Sequence, residues 1–224
     1  IRDTEQTLLL LLKTMDNLDL WKNTAVISTA DHGELAGSHG GLRGKGPFPY
    51  EQESHVPFIV VHPDHAGGKK CRALTSHIDL IPTLTGLSGV SEDKQLAATE
   101  GLPGRDFSSL LADPENAPPD AIRPGVLFNY VGLQTIEATY LKEACRYIEQ
   151  GKWVPPLSEY HPDLNSRGFL SFTFDGRYKY ARYYAPSQFN TPTTLEQIQG
   201  YNDIELFDLK NDPNEVDNLA VDAR

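Results

Sequence analysis

An α/β fold is predicted by three features of the sequence: a mixed sheet flanked by helices, with a small antiparallel sheet appended towards the carboxy-terminal end. A helical periodicity leads into two short, β-branched, almost uncharged runs separated by a long polar loop. Another helical pattern follows the second run, and this alternation of helix and strand favours an α/β layer. Past Gly168 the periodicity shortens to that of half-buried strands.

In chain order, Leu8, Leu11, Leu12, Met15 and Leu18 recur at helical spacing between Asp3 and Leu20, which predicts an amphipathic helix packed on a sheet. Thr24 to Ala30 suits a strand buried on both faces of a parallel sheet, and Val56 to Val61 is a second such strand with Pro57 at its entrance. His77 to Leu87 reads as a helix with Asp79 near its start and Gly86 near its end, Pro82 being tolerable only in the first turn. Residues 88–125 are rich in Gly, Pro, Ser and Asp and are expected to be connecting surface structure. A helix is predicted from Gln134 to Gln150, with Leu141, Ala144, Cys145 and Ile148 on one face. Strands are expected at Phe169–Phe174, Tyr178–Tyr183 and Ile204–Leu209, the first two joined at the hairpin signal Asp175-Gly176. The division that results is 1–165 for the larger α/β part and 166–224 for the small antiparallel sheet.

Composition narrows the function classes. With 224 residues and 39% hydrophobic content the chain can bury a core. Its 20 basic against 31 acidic residues give a net charge of -11, which repels nucleic acid and anionic membranes, so neither is expected as a partner. Leu8 to Leu12 is the longest apolar run, far below the roughly 20 residues of a membrane span. The sequence opens Ile1-Arg2-Asp3 with neither an initiator Met nor a signal-peptide pattern, so a processed precursor or missing upstream chain is expected. Cys71 and Cys145 read as buried free thiols, with a single disulfide as the alternative.

The stretch that carries chemistry is Asp31-His32-Gly33-Glu34, continuing through His39-Gly40-Gly41 to Lys45. Asp31 and His32 stand where the first strand stops, and open α/β sheets place ligands at the carboxyl ends of their strands. A carboxylate and an imidazole offer hard and borderline donors to one cation once the chain leaves the extended conformation, which Gly33 makes easy. Lys45 adds a compact positive charge suited to a tetrahedral oxyanion. Alone, Asp-His-Gly reads better as a helix cap beside a satisfied histidine; its place after a strand in a Gly-rich loop shifts that balance.

This run, with Tyr50-Glu51 and Val56-Pro57-Phe58-Ile59, resembles the second metal-binding segment of arylsulfatases and the related phosphonate monoester hydrolases, in the alkaline-phosphatase superfamily. Further matches follow in order: Asp79-Leu80-Ile81-Pro82-Thr83 is similar to the family's Asp-x-x-Pro-Thr helix, and Gly104-Arg105-Asp106-Phe107 to its Gly-Arg-Ser segment. Glu205-Leu206-Phe207-Asp208-Leu209, Asn211-Asp212-Pro213-Asn214-Glu215 and Asn218-Leu219-Ala220 resemble its closing signature. Residues 110–165 match least, and His55 stands where the family has Arg.

The resemblance implies a sulfuric ester hydrolase that holds a divalent metal with Asp31 and His32 and binds the ester with Lys45 and His39. Glu34 fits a capping role better than ligation. Ca2+ is the metal first expected from the family, and the imidazole of His32 also suits Mn2+, Zn2+ or Fe2+. The family's nucleophile is a formylglycine made in a Cys/Ser-x-Pro-x-Arg motif that neither Cys71 nor Cys145 heads. The expectation is therefore a carboxy-terminal portion that an upstream segment of the same enzyme completes, inactive as an esterase by itself. A phosphonate monoester or phosphodiester hydrolase, and a noncatalytic remnant, are the alternatives. The family favours a periplasmic or secreted location. His62, His65, His77 and His161 show no convergent pattern and are read as surface or satisfied histidines, and Tyr178, Tyr180, Tyr183 and Tyr184 as strand packing.

Overall fold

The computed structural model describes residues 2–132, 138–154 and 163–221. His161 and the start of the helix expected at Gln134 lie outside the described residues. The contacts divide the chain into two units, one formed by residues 1–31 and 56–122 and the other by 32–55 and 123–224.

The first unit opens with α1 (Arg2–Asn17), the expected helix. Met15 is buried, but Leu8, Leu9, Leu10 and Leu11 are 49–66% exposed, so the apolar stripe does not pack on a sheet as expected. β1 (Val26–Thr29) and β2 (Phe58–Val61) form a two-stranded antiparallel sheet, Val26 opposite Val61 and Thr29 opposite Phe58. The two strands were expected to be parallel and buried on both faces; instead they run in opposite directions, and Ile59 and Val61 face solvent. The connection explains the difference. It holds only the short turns α2 (Ser38–Gly41) and α3 (Glu51–Ser54), neither long enough to carry the chain back along the sheet as a crossover helix.

A 3-10 turn (His77–Asp79) leads into α4 (Leu80–Leu87), and α5 (Glu92–Thr99) falls in a stretch expected to be irregular. Ser91 ahead of Glu92 and Asp93 is a start signal that the surrounding Gly and Pro content outweighed. Asp79, fully buried, accepts the N–H groups of Ser76 and Arg105 at 2.8 Å each, and Thr83 one turn later accepts that of Phe107 at 3.2 Å. Gly104 is required here because a Cβ would lie 1.9 Å from the Ile78 carbonyl oxygen. The Asp-x-x-Pro-Thr and Gly-Arg segments are thus two halves of one contact. Phe107 meets Phe58 of β2 edge-on, 5.5 Å between ring centres.

The second unit is built on a four-stranded antiparallel sheet in the order β3 (Val126–Tyr130), β4 (Phe169–Phe174), β5 (Tyr178–Tyr184) and β6 (Asp203–Asp208). Asp175-Gly176 turns the chain as expected, the Asp175 carboxylate accepting the N–H groups of Arg177 and Tyr178. β3 was not expected; its register against β4 sets Phe128 on Phe172, with stacked rings 4.8 Å apart. Leu170, Phe172 and Ala181 form the core, with Tyr130 and Tyr183 packed against it. Tyr184 is buried against Phe169 and Tyr178 is partly exposed, so the tyrosine run is strand packing. α6 (Ala138–Glu149) and α7 (Leu195–Tyr201) complete the unit. Cys71 and Cys145 are free and, contrary to expectation, exposed.

Candidate functional site

Asp31 is the last residue of the first unit and follows the end of β1, where the preceding carbonyl, Ala30, accepts a 2.8 Å hydrogen bond from His77 Nε2. His77 is therefore a satisfied histidine that pins the carboxyl end of the strand. His32 opens the second unit, which contains the whole loop 32–55.

The loop is held by α3. The N–H of Gly33 donates to the Glu53 carbonyl at 2.8 Å and that of Glu34 to the Gln52 carbonyl at 2.9 Å. Gly33 was expected to supply backbone freedom, yet its φ is not among the positive ones; glycine is needed because a Cβ would sit 1.9 Å from the Gln52 carbonyl oxygen. Glu34 closes the loop from the inside, its carboxylate accepting the N–H groups of Ala36 at 3.1 Å and Gly44 at 2.6 Å. The Glu53 carboxylate accepts the N–H of Gly46, at 3.0 and 3.2 Å. Burial pushes the Glu53 carboxyl up, partly offset by the Gly46 N–H and by the nearby His32 and Lys45.

The structure brings His32 and Lys45 together: Lys45 Nζ lies 2.7 Å from His32 Nε2. His32 Nδ1 lies 2.8 Å from the Gly33 carbonyl oxygen, which can only accept, so Nδ1 carries the proton and Nε2 presents a lone pair to the ammonium. That lone pair, already directed at a cation, is the donor a metal would use. Asp31, the other residue expected to ligate a metal, precedes His32 in the sequence and ends the first unit. Among the described residues no group of three or more His, Cys, Asp or Glu side chains is placed to hold a metal.

His39 is fixed on two sides. Its ring stacks on Tyr50 with 3.6 Å between centres and 8° between planes, and Nε2 lies 3.1 Å from Gln52 Oε1. Its φ of 50 is left-handed, a conformation costing a residue with a Cβ about 1 kcal/mol or more. Beneath Tyr50 lies a group that sequence reasoning did not single out. Glu205 on β6 accepts the Tyr183 hydroxyl at 3.2 Å, and burial raises its carboxyl. Burial together with Glu205 and Glu215 pushes the Tyr50 phenol up to about 12. Burial also raises Tyr183 well above the usual phenol range, so both tyrosines are hydrogen-bond donors at neutral pH.

Residues 1–90 match the family described as Sulfatase. Over 128 residues the chain is 31% identical to the ulvan-active sulfatase of Formosa agariphila, a match covering 56% of this chain and 23% of that protein. Over 218 residues it is 28% identical to an arylsulfatase of Chlamydomonas reinhardtii, covering 95% of this chain and 29% of that one. The phosphonate monoester hydrolase of Agrobacterium radiobacter superposes with a TM-score of 0.61 at 24% identity, over 95% of this chain and 34% of its own, which establishes likeness of fold. The chain thus spans less than a third of the length of the two curated relatives.

Proposed function

We propose that this chain, whose residues 1–90 match the sulfatase family, is the part of a sulfuric ester hydrolase that supplies Asp31 and His32 to a divalent metal and Lys45 to the ester. The observation that carries the reading is the 2.7 Å approach of Lys45 to His32 on a loop buttressed by α3. One lone pair cannot serve two cations. His32 Nε2 would be the atom to hold a metal, and Lys45, no longer paired with it, would then donate to the nonbridging oxygens of the ester and offset charge on the leaving oxygen. The bound metal would supply Lewis acidity at the ester oxygen. Gly33, Glu34 and Glu53 keep the loop in register, and His39, clamped between Tyr50 and Gln52, orients the loop or the ester beside Lys45. The exposed Leu8–Leu11 face and the open sheet of β1 and β2 suit an upstream segment that completes the domain and brings the formylglycine nucleophile. Among the described residues no helix is long and apolar enough to cross a membrane, and a periplasmic or secreted location is part of this reading.

Ca2+ is the metal we assign first. The imidazole at position 32 favours a second reading, phosphonate monoester or phosphodiester hydrolysis with Mn2+, Zn2+ or Fe2+. Rates of the intact protein on paired aryl sulfate and phenyl phosphonate esters, together with its metal content, decide between the two. On either substrate Lys45→Ala is expected to lower kcat/KM by about 100-fold or more. A Lys45→Ala protein as active as the parent would refute the assignment, and so would full turnover by residues 1–224 alone.

A further inference from the structure

β5 sends Lys179 into the interior of the second unit, where its side chain is 1% exposed. The ammonium donates to Glu51 Oε1 at 2.7 Å and to the Pro49 carbonyl at 2.8 Å. It also makes a close ionic contact with Glu215 Oε1 at 2.8 Å, without the alignment of a hydrogen bond. Glu215 reaches the same point from the turn after β6, with a left-handed φ of 53 and a fully buried side chain, and its Oε2 accepts the N–H of Glu51 at 2.7 Å. A residue held in that conformation in the interior is one its surroundings over-determine.

One ammonium faces two carboxylates here, and His55 adds to the balance from the solvent side, its Nδ1 lying 2.8 Å from Glu51 Oε2. Burial alone would raise the Glu51 carboxyl; His55 and Lys179 hold it at about 2. The hydrogen bond with Glu51 in turn raises His55.

Apart from the Lys179–Glu215 contact itself, each of these contacts ends on α3 or the two residues before it. α3 is also what the loop hangs from: its carbonyls take the N–H groups of Gly33 and Glu34, Gln52 takes His39, and Glu53 takes the N–H next to Lys45. We propose that Lys179 and Glu215 are positioning residues that set the placement of His32, His39 and Lys45 through Glu51 and α3. The catalytic consequence rests on the function proposed above; the mechanical one does not.

The test is amide exchange in the intact protein carrying Lys179→Met, with Glu51→Gln as the milder variant should the first fail to fold. The amides of Gly33, Glu34 and Gly46 are expected to exchange at least about tenfold faster, while those pairing β3 with β4 keep their rates. Unchanged exchange at the three loop amides overturns the proposal. Equal loss of protection across the sheet, the mark of a general structural role, overturns it as well. In the ester assay kcat/KM is expected to fall about tenfold with Lys179→Met, but to fall little further when that change is added to Lys45→Ala; independent, multiplying losses would contradict action through the loop. Faster loop exchange in Lys179→Met, where the parent protein hydrolyses neither ester class, leaves the positioning role standing and removes the activity assignment.

Discussion

Gly33→Ala is the perturbation that most directly tests how the loop is held. The added Cβ would be 1.9 Å from the Gln52 carbonyl oxygen, 2.8 Å from its carbon and 3.0 Å from the Glu53 Cα, all of them backbone atoms. Relief needs α3 and the Asp-His-Gly turn to separate by more than about 1 Å, because no flexible side chain can give way. That movement breaks the hydrogen bonds from Gly33 to Glu53 and from Glu34 to Gln52. Two lost backbone hydrogen bonds at about 1 kcal/mol each, with an overpacking cost of about 1–3 kcal/mol, give a destabilisation of roughly 3–5 kcal/mol. Displacing His32 and Lys45 by about 1 Å is expected to lower kcat/KM by about 100-fold. Urea denaturation of the intact protein and initial rates on the aryl sulfate read the two effects. Gly68→Ala is the control: it carries a left-handed φ of 78, which Gly33 does not, but has open space around the new Cβ, and is expected to cost only about 1 kcal/mol with no change in rate. A Gly33→Ala protein as stable and active as this control would show that the close approach does not matter, and the account of the loop would fail with it.

Two further changes address the core and the charge cluster. Leu170→Ala, at a fully buried site beneath Phe172 and Ala181, is expected to cost about 2–5 kcal/mol in the same denaturation experiment, and a cost below about 1 kcal/mol would mean this sheet face is not packed as described. The Glu51 carboxylate, lowered to about 2 from its unfolded value near 4.5, stabilises the folded state above pH of about 4.5 and loses that contribution as the pH falls towards about 2. Unfolding free energies measured between pH 6 and 2 are therefore expected to fall less steeply for Glu51→Gln than for the parent, and parallel curves would contradict the ion pairing with Lys179 and His55.

The residues themselves carried a good part of this description. Asp175-Gly176 sets a hairpin because the turn chemistry lies within a few residues, and the alternation around it places three strands close to their observed bounds. The Asp79 and Gly104 segments could be recognised from their order along the chain, although not as partners. Lys45 and His32 were singled out by the Gly-rich loop between them, and the fold brings them to 2.7 Å. Lys179 could have been noticed, since it shares the inward phase of its strand with Ala181, but only its partners show why an ammonium is tolerated there.

What the sequence by itself determined is a set of local choices: the helical stretches of α1 and α4, where the hairpin turns, which loop gathers charged donors and which family the motifs resemble. Tertiary structure alone decided that β1 and β2 run antiparallel, that Gly33 is small because a carbonyl from another part of the loop abuts it, and that Glu51, Lys179 and Glu215 meet. The physical reason is range. Backbone preference and side-chain periodicity act over a few residues, whereas strand direction, close approach and the pairing of buried charges depend on groups as far apart as Glu51 and Glu215, which only the folded chain brings together.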